Sequence, residues 1–470
     1  MTSLVVTLVV YKVVLLGIGA WAARRNHDGA DFYLAGRGLG AWVAAISAAA
    51  SSSSAWTLLG VSGAAYVYGL GAIWLLPSCL GGFALNWFLV ARRLREASAG
   101  SGAVTLTEFL AGSAAGDGSA QARRWAHRLT IVASVIILVS LGTYVSSQFQ
   151  AAGKTFSSAL DMDFTTSVLV GGGIVLLYTM TGGFWAVSMT DMLQGMVMAG
   201  ACVIVPVAAL LEVGGGGAML DGMRAADPLL TDPLRGLGGM AAFGMVIGLF
   251  GIGIGYPGQP HVVNRFMAMR SDREVRRGAW ISLGWAMLVY TGMLLSGWCG
   301  RVLFPELGDA ETVLLELMTR LFDPVLAGII LAAVLSAIMS TTDSQLLVCG
   351  STVAHDLGGR ASERKVSLDR ATVGGITALA ILAALYVPGT IFSTVLFAWS
   401  ALGAAFGPLL LVRLWVGPVR GGWALAAMSA GFLVSVGWFF TPALKTHLYE
   451  LVPAFAAASV VALLGARRRP

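Results

Sequence analysis

The feature that most constrains the fold of this chain is a succession of long apolar stretches, separated by polar connections. Thirteen such stretches occupy residues 3–23, 41–67, 71–91, 129–152, 164–184, 189–212, 237–257, 279–299, 324–348, 371–388, 391–412, 422–440 and 449–466. A spanning helix needs about 20 apolar residues in a row, whereas a membrane β-strand is shorter and alternates in hydrophobicity. The stretches are continuous, so the sequence predicts an all-α, polytopic membrane protein with 13 spans.

The low charge content supports the same class of protein. Asp, Glu, Lys and Arg make up 11% of the 470 residues, whereas soluble globular proteins carry about 25%. So few charges cannot cover a water-exposed surface, which excludes a soluble enzyme, a disordered protein and a nucleic-acid binder. The net charge of +6 is then explained by basic cytoplasmic loops rather than by a nucleic-acid partner.

The distribution of basic residues predicts the orientation of the spans. One set of alternate connections, taken with the C-terminal tail, holds 23 Lys and Arg residues, Arg265 among them, and the opposite set holds 6. Because cytoplasmic loops carry the excess of Lys and Arg, we expect the N-terminus outside and the C-terminus in the cytoplasm. The remaining basic residue, Lys12, lies inside the first span, which we interpret as a retained helix rather than a signal peptide.

Two of the stretches carry residues that disfavour a continuous helix. The second contains four consecutive serines at Ser51–Ser54, whose hydroxyls compete for main-chain hydrogen bonds. The seventh contains four glycines and two prolines within Gly251–Pro260, a composition that breaks a helix. Irregular backbone at membrane depth requires a protein-enclosed or watery cavity. Taken singly, the four serines could form a packing face between helices, and the glycine–proline run of the seventh span could be a structural kink.

The two interruptions lie five spans apart, and each of them opens a set of five spans. An odd number of spans in a set makes the two sets run in opposite directions across the membrane. Paired interrupted helices at corresponding places in two halves are typical of secondary transporters, whose binding site they build. The pairing therefore favours a transporter over a simple helical bundle.

A third polar stretch lies in the ninth span, at Ser340–Gln345, and includes the carboxylate of Asp343. Hydroxyl and carboxylate oxygens suit a hard cation such as sodium, and carboxylates within a membrane mark ion pathways or proton relays. Asp191, which we place at the start of the sixth span, could approach this stretch. Alternatively, both carboxylates face water at cytoplasmic helix ends, or Asp191 caps a helix N-terminus.

No catalytic motif accompanies these polar stretches. The sequence contains no HExxH pair, phosphate-binding loop or dinucleotide fingerprint. The spacing of its four cysteines matches no zinc, haem or redox motif. We therefore expect a protein that is not an enzyme and that uses no cofactor.

Four motifs, in order and at matching separations, resemble the sodium/solute symporter family, and most closely its bacterial sodium/proline symporter branch. They are DFYLAGRGLG at 31–40, GGFWAVSMTD at 182–191, GQPH with RFMA at 258–268, and MST with QLLV at 339–348. The resemblance extends from about residue 30 to 460. It implies a leucine-transporter-type fold of two inverted five-helix repeats, with one helix before them and two after.

The resemblance divides a single transmembrane domain, residues 1–470, into parts. These are a leading helix at 3–23, a first repeat at 41–212, a second repeat at 237–412 and two trailing helices at 422–466. It also implies alternating access driven by the inward sodium gradient, in the inner membrane of a bacterium. The implied partners are a small proline-like solute, the sodium ion and the lipid bilayer.

The resemblance further implies where cations bind. The residues implied for sodium, where the first core helix meets the eighth, are Ala50, Ser53 and Ala337 through their carbonyls and Ser340 and Thr341 through their hydroxyls. Some members of the family have a second ion site near the cytoplasm. Its candidates in this chain are Asp191, Ser340, Asp343 and Ser344.

The positions implied for the solute combine aromatic rings with broken-helix backbone. They are Ser54, Trp56, Gly60, Tyr144, Tyr256 and Pro260. Aromatic rings can sandwich an apolar solute, and the exposed amides of broken helices can hold a carboxylate. An alternative is that Trp56 and Tyr144 anchor the chain at the lipid interface. Arg37 is expected to be a cytoplasmic gate or an anchoring charge.

Two departures from the proline branch bear on the prediction. That branch has an aspartate where this chain has Ser52, and a tryptophan where it has Ile252. The first change removes a negative charge beside the implied sodium site, and the second reshapes the implied solute pocket. We predict a sodium-coupled symporter that imports proline or a similar small amino acid. The alternatives are a symporter for another small carboxylate or amine solute, which protons rather than sodium could drive, and a membrane sensor of such a solute.

Overall fold

The chain is almost entirely helical in a computed structural model. The structure describes residues 2–23, 34–115, 118–179, 184–358, 364–387, 389–445 and 447–467. Isolated β-bridges join Leu39 to Met269 and Val419 to Ala466. The first three residues of the motif at 31–40 and the two glycines that open the motif at 182–191 lie outside the described residues.

The α-helices follow the predicted spans along the chain. In the first half they are α1 Thr2–Ala23, α2 Ala41–Ser52, α3 Val61–Tyr68, α4 Leu75–Ala84, α5 Arg92–Ser101, α6 Leu106–Ala115, α7 Ala120–Leu160, α8 Phe164–Thr179, α9 Phe184–Val213 and α10 Gly216–Ala226. In the second half they are α11 Gly239–Ile254, α12 Pro260–Met267, α13 Asp272–Leu303, α14 Val313–Leu321, α15 Pro324–Ser351, α16 Arg364–Tyr386, α17 Ile391–Trp415, α18 Gly421–Phe439, α19 Pro442–Lys445 and α20 Leu451–Gly465.

Short π and 3₁₀ segments complete the helices. The π segments are Trp56–Gly60 before α3, Leu85–Ala91 between α4 and α5, and Thr352–Leu357 after α15. The 3₁₀ segments are Ala35–Arg37, Gly69–Trp74, Pro228–Thr231, Tyr256–Gly258 and Ala310–Thr312. Two of these segments, Trp56–Gly60 and Tyr256–Gly258, fall at the two predicted helix interruptions.

A helix lies at each of the predicted apolar stretches. Among the described residues, eight helical segments are long and apolar enough to cross a membrane, and five further apolar helices are shorter. This supports a polytopic membrane protein, while the number of spans stays a prediction. The helix predicted at 129–152 runs from 120 to 160, because the Ser119 hydroxyl accepts the amide of Ala122, 3.1 Å away, and so caps an earlier start.

Two helices lie at the centre of the structure. In the most apolar segments of α15 and α17, 83% of the residues are buried by the rest of the protein, whereas in that of α18 only 28% of the residues are buried. The start of α15 is fixed by Asp323, whose Oδ1 accepts the amides of Val325 and Leu326 at 2.9 and 3.3 Å. Pro324 occupies the first helical position, where no amide donor is needed.

Large apolar side chains cover the outer surface. Leu211, Met240, Trp280 and Tyr386 are each at least 70% exposed. A surface of this kind is unstable in water and stable against lipid acyl chains, since the apolar side chains then need no hydration. The exposed side chains and the low charge content therefore give a consistent membrane assignment.

The first broken helix lies at the middle of this arrangement. Helix α2 packs against α9, α12, α13 and α15. The second interruption, Tyr256–Gly258, packs against α17. The two central helices α15 and α17 thus each meet one interruption, and the polar residues of the interruptions face the interior of the protein.

Candidate ion and solute site

The first interruption follows directly from the serine run. Helix α2 ends at Ser52, and Ser53 has φ −110° and ψ 77°, which is outside the helical region. The amide of Ala55, which would close a helical turn on the carbonyl of Ser51, donates instead to Oε1 of Gln148 at 3.1 Å. The carbonyl oxygen of Ser51 is therefore available to partners outside its own helix, while that of Ala50 accepts the amide of Ser53 at 3.2 Å and can take a second partner.

The hydroxyls of α15 point at these carbonyls. Ser340 Oγ lies 3.3 Å from the carbonyl oxygen of Ala50 and 3.4 Å from that of Ala337. Thr341 Oγ1 lies 3.1 Å from the carbonyl oxygen of Ser51 and 3.5 Å from that of Ala50. Four of the five residues that the sequence implied for sodium thus lie together, and the carbonyl of Ser51 joins them.

Ser53, the fifth implied residue, lies at the same break. Its hydroxyl is fully buried and has no hydrogen-bond partner among the described residues. An unpartnered buried hydroxyl is costly unless another group completes its hydrogen bonds or coordinates its oxygen. The set contains neutral oxygens from carbonyls and hydroxyls, which is the donor chemistry that hard cations prefer. These residues therefore fit a sodium ion, and they would hold it between α2 and α15.

Asp191 lies close to this oxygen cluster but has a different partner. Its Oδ2 forms a buried ion pair with Nη2 of Arg265 at 2.8 Å. The same oxygen accepts hydrogen bonds from Ser47 Oγ at 2.8 Å and Ser51 Oγ at 3.1 Å. Ser344 Oγ lies 3.0 Å from Ser51 Oγ and accepts from Arg265 Nη2 at 2.5 Å. Asp191 and Ser344 are thus brought together by Arg265.

Three expectations are corrected by this geometry. Asp191 does not open or cap the sixth span, since α9 begins at Phe184 and the carboxylate bonds to side chains of other helices. Arg265 does not belong to a cytoplasmic loop, because it lies in α12 with a side chain that is 1% exposed. Asp191 and Asp343 do not face water, since both are fully buried in the protein.

Asp343 lies on another side of α15 from Ser344. Its Oδ1 accepts a hydrogen bond from Oγ1 of Thr179 at the end of α8. Its Oδ2 has no hydrogen-bond partner among the described residues. The structure therefore places the two carboxylates in separate surroundings, with Asp191 toward α2 and α12 and Asp343 toward α8. Their assignment to one ion site stays a prediction.

The second interruption is shaped by glycine and proline. The 3₁₀ turn Tyr256–Gly258 separates α11 from α12, and Pro260 takes the first position of α12, where it needs no donor. A Cβ on Gly258 would lie 2.6 Å from the Cα of Gly403 and from the carbonyl oxygen of Leu402. Only glycine permits this approach, so the interruption is pressed against α17.

Aromatic rings line the space between the interruptions. Trp56 stacks on Phe392 with a centroid distance of 5.6 Å and meets Tyr290 edge-on at 6.5 Å. The hydroxyls of Tyr290 and Tyr256 lie 3.1 Å apart. A Cβ on Gly60 would lie 3.2 Å from Trp56 Cδ1, so glycine leaves room for the indole ring. Two of the residues implied for the solute, Trp56 and Tyr256, are thus connected through Tyr290, which sequence reasoning missed.

Ser54 and Tyr144 form a second part of the same region. Their side-chain oxygens lie 3.2 Å apart, and both residues are at least 99% buried in the protein. The ring of Tyr144 meets the ring of His261 edge-on at 6.2 Å. The alternative that Trp56 and Tyr144 are lipid-interface anchors is wrong, because Trp56 is 4% exposed and Tyr144 is 1% exposed.

Several buried polar atoms near the interruptions have no hydrogen-bond partner among the described residues. They are Trp56 Nε1, Gln259 Oε1, and both ring nitrogens of His261. Sequence reasoning did not assign Gln259 or His261 a role, although both belong to the GQPH motif of the second interruption. Buried polar atoms of this kind normally have partners, so these atoms are available to a bound polar solute.

The two residues that depart from the proline branch, Ser52 and Ile252, each form a hydrogen bond at one of the interruptions. Ser52 Oγ donates to the carbonyl of Ala49 in its own helix at 2.9 Å, so it adds no charge to the oxygen cluster. The carbonyl of Ile252 accepts the indole N–H of Trp399 at 3.0 Å. Trp399 also meets Tyr256 edge-on at 4.7 Å, which places an indole ring of α17 beside the second interruption.

Arg37 ties the first interrupted helix to its neighbours. Its guanidinium donates to the carbonyls of Met267 and Ala103 at 2.8 and 2.7 Å, and to Ser98 Oγ at 3.0 Å. Burial lowers the pKa of Arg37 from its ordinary value. Met267 ends α12 and Ser98 lies near the end of α5, so Arg37 holds the start of α2 against both helices.

The fold and the site define a class of protein. Over 99% of both chains the structure matches a substrate-bound, outward-open Na⁺-coupled sialic acid symporter with a TM-score of 0.79 at 17% identity. It also matches MhsT, solved in complex with L-phenylalanine, with a TM-score of 0.54 at 14% identity over 90% of this chain and 98% of that chain. The fold is thus that of leucine-transporter-type secondary transporters.

The family follows from the sequence. The model of the sodium:solute symporter family matches residues 32–431. The high-affinity proline transporter PutP of Bacillus subtilis is 36% identical over 94% of this chain and 93% of its own length. The sodium/proline symporter of Escherichia coli is 35% identical over 98% of this chain and 92% of its own length. The chain belongs to the sodium:solute symporter family, and the resemblance read from its motifs is confirmed.

Proposed function

We propose that this multi-pass membrane protein is a secondary active symporter that imports proline, or a similar small amino acid, together with sodium by alternating access. The observation that carries the proposal is identity of 33–36% with proline transporters over more than 90% of both chains. Identity that extends over nearly the whole length includes both interruptions and α15. The arrangement of oxygens and aromatic rings supports the same function.

We assign the coupling sodium to the oxygen cluster between α2 and α15. Its ligands are the carbonyls of Ala50, Ser53 and Ala337 and the hydroxyls of Ser340 and Thr341, with the carbonyl of Ser51 as an addition. Bound sodium would stabilise the broken form of the first helix, because the cation takes the carbonyl oxygens that the break leaves open. Sodium and solute binding are then coupled through one backbone segment.

We place the solute between the two interruptions. The proposed residues are Ser54, Trp56, Gly60, Tyr144, Tyr256 and Pro260, with Tyr290, Gln259 and His261 as additions. Proline carries a carboxylate, a secondary ammonium and an apolar ring. The unpartnered polar atoms near the breaks suit the charged groups, and the aromatic rings suit the apolar ring. Since Ile252 differs from the proline branch, a related small carboxylate is the second candidate.

The remaining assignments concern architecture. We propose inverted repeats at residues 41–212 and 237–412, flanked by the leading helix at 3–23 and the trailing helices at 422–466. The excess of basic residues in alternate connections supports an outside N-terminus and a cytoplasmic C-terminus in a bacterial inner membrane. We further propose that Arg37 anchors the cytoplasmic ends of the interrupted helices.

Transport by the purified protein tests the proposal. Proteoliposomes that contain the full chain should accumulate radiolabelled proline when an inward sodium gradient is imposed, and an equal potassium gradient should give no accumulation. Uptake that is equal in sodium and potassium would contradict sodium coupling. If proline does not accumulate, sodium-driven uptake of another radiolabelled small carboxylate or amine would identify that compound as the solute.

A further inference from the structure

Helix α1 carries one charged residue, Lys12, at the middle of an otherwise apolar stretch. A lysine near the centre of a spanning helix is costly on insertion scales. Such residues persist where they pair with another group inside the bundle. The excess of Lys and Arg in cytoplasmic connections does not account for Lys12, because Lys12 lies inside a span. The lysine therefore requires an explanation within the protein.

The structure directs Lys12 toward the central helix. Lys12 Nζ contacts Sδ of Met339 on α15. The neighbouring Tyr11 forms a side-chain hydrogen bond with Ser336 on the same helix. Residues 336, 339 and 343 follow one another at helical spacing, so they share one face of α15. Lys12 thus lies along the face that carries Asp343.

Asp343 has a vacancy in its hydrogen bonding on that face. One carboxylate oxygen accepts from Thr179, and the other, Oδ2, has no hydrogen-bond partner among the described residues. The residue is fully buried in the protein. A buried carboxylate needs a positive charge or a proton to offset the cost of desolvation.

Lys12 and Asp343 carry opposite charges on α1 and α15, two helices that pack against each other. The other buried carboxylate of this region, Asp191, already has Arg265 as its partner at 2.8 Å. Each of the two carboxylates therefore has one basic side chain of the protein near it. Arg265 reaches its carboxylate directly, whereas Lys12 contacts Met339, one helical turn away from Asp343.

We propose that Lys12 is the counter-cation of Asp343 and keeps sodium from binding there. Its flexible side chain brings the ammonium group from the sulfur of Met339 to Oδ2 of Asp343, where it takes the place of a second cation. Lys12 thereby determines that this carboxylate is not a sodium site. The inference rests on the proposed sodium-coupled transport, and it assigns a function to the leading helix, which lies outside both proposed repeats.

Removal of either charge tests the pair. We expect Lys12→Met and Asp343→Asn each to lower the initial rate of sodium-driven uptake roughly tenfold, since each leaves one charge without its partner. The double variant Lys12→Met/Asp343→Asn should recover most of the wild-type rate. In Lys12→Met the remaining uptake should depend on sodium sigmoidally, because Asp343 then takes a second sodium ion. The wild type and the double variant should give hyperbolic curves.

Three outcomes would overturn the proposal. The first is a double variant that is no more active than Asp343→Asn, because Asp343 would then act independently of Lys12. The second is a Lys12→Met variant with the wild-type rate. The third is a wild-type sodium curve in Lys12→Met. Tyr11→Phe, which removes the hydrogen bond to Ser336 without a change of charge, is the matched control and should retain the wild-type sodium curve.

Thermal unfolding of the purified protein separates this inference from the proposed function. If the wild type shows no sodium-driven proline uptake, the proposed function fails, and unfolding in sodium chloride and choline chloride still tests the pair. We expect sodium to raise the unfolding temperature of Lys12→Met more than that of the wild type, because an added sodium site stabilises the folded state. If sodium raises the unfolding temperature of the two proteins equally, the proposal that Lys12 keeps sodium from Asp343 is overturned.

Discussion

The two buried carboxylates near α15 differ in their charged partners. Asp191 has an arginine at 2.8 Å and hydrogen bonds from two serines to the same oxygen. Asp343 has a hydrogen bond from Thr179, and Lys12 contacts Met339, one helical turn from Asp343. Each of the two carboxylates also has one oxygen with no hydrogen-bond partner among the described residues. The first carboxylate is held by a close ion pair, whereas the second has no ion pair among the described residues. Burial alone therefore does not define a sodium site.

The difference arises from adjacent residues on one helix. Ser344 faces α2 and meets Ser51, while Asp343, its neighbour in the chain, faces α8 and meets Thr179. Successive residues on a helix are rotated by about 100°, so neighbours point to different sides of it. One short polar segment of α15 thus serves two clusters. The cluster toward α2 includes the Asp191–Arg265 pair, and the other cluster contains Asp343 and lies toward α1 and α8.

The largest effect is expected for Asp191→Asn, which would break the close pair. The change leaves the guanidinium of Arg265 buried without a counter-charge, a loss of about 3–5 kcal/mol. We expect uptake to fall by about a hundredfold or more, together with a lower unfolding temperature. Measured rates in proteoliposomes, normalised to folded protein, give the result. Uptake at the wild-type rate in this variant would show that transport does not need the charge pair between Asp191 and Arg265.

A smaller effect, on the solute rather than on sodium, is expected for Tyr256→Ala. This change removes a ring that contacts Trp399 and Phe83 and a hydroxyl that meets Tyr290. The half-saturating proline concentration should rise about thirtyfold, the equivalent of about 2 kcal/mol of lost burial. Proline titrations at saturating sodium measure it. An increase confined to the half-saturating sodium concentration would mean that the ion and solute regions are exchanged.

The neutral cluster toward α2 is tested by Ser340→Ala and Thr341→Ala. Each removes one proposed sodium ligand, so the half-saturating sodium concentration should rise about tenfold, more than that for proline. Thr342→Val is the matched control, since its hydroxyl bonds within α15 to the carbonyl of Ile338 at 2.6 Å. If the control has the same effect as the two variants, hydroxyl loss anywhere in α15 is sufficient and the cluster is not the sodium site.

The smallest effect is expected for Thr179→Val, which sharpens the contrast on the side of Asp343. The change removes the donor to Oδ1 and leaves the charge of Lys12 in place. We expect a loss of uptake of about threefold, as for one neutral hydrogen bond. A loss as large as that of Asp191→Asn would show that Thr179, rather than Lys12, determines the state of Asp343.

Much of the fold could be predicted because its signal is local. Each apolar stretch coincides with a helix, and the serine run and the glycine–proline run both end regular helices. The convergence of Ala50, Ala337, Ser340 and Thr341 was implied by the family motifs and is present in the structure. Local composition determines where a helix stops, and the stop determines which carbonyls are left open.

The partners of the charged residues could not be predicted from composition. Arg265 follows a broken span and was counted with the cytoplasmic loops, although it lies buried beside Asp191. The pairing depends on the direction in which α12 leaves the second interruption, which is a tertiary property. Tyr290, Gln259 and His261 were missed for the same reason, since each gains significance only from residues of other helices that it approaches.

The contacts at the start of α2 have a mechanical consequence for transport. Besides Arg37, the main chain joins Leu39 to Ala268 and Arg270 at 3.0 and 3.1 Å, and Glu274 accepts the amide of Ala41 at 2.7 Å. These bonds fasten α2 to the end of α12 and the start of α13. We expect α2 and α12 to move together as one rigid body during transport. The chain would then bend at the serine break that follows α2 and at the glycine–proline break that precedes α12.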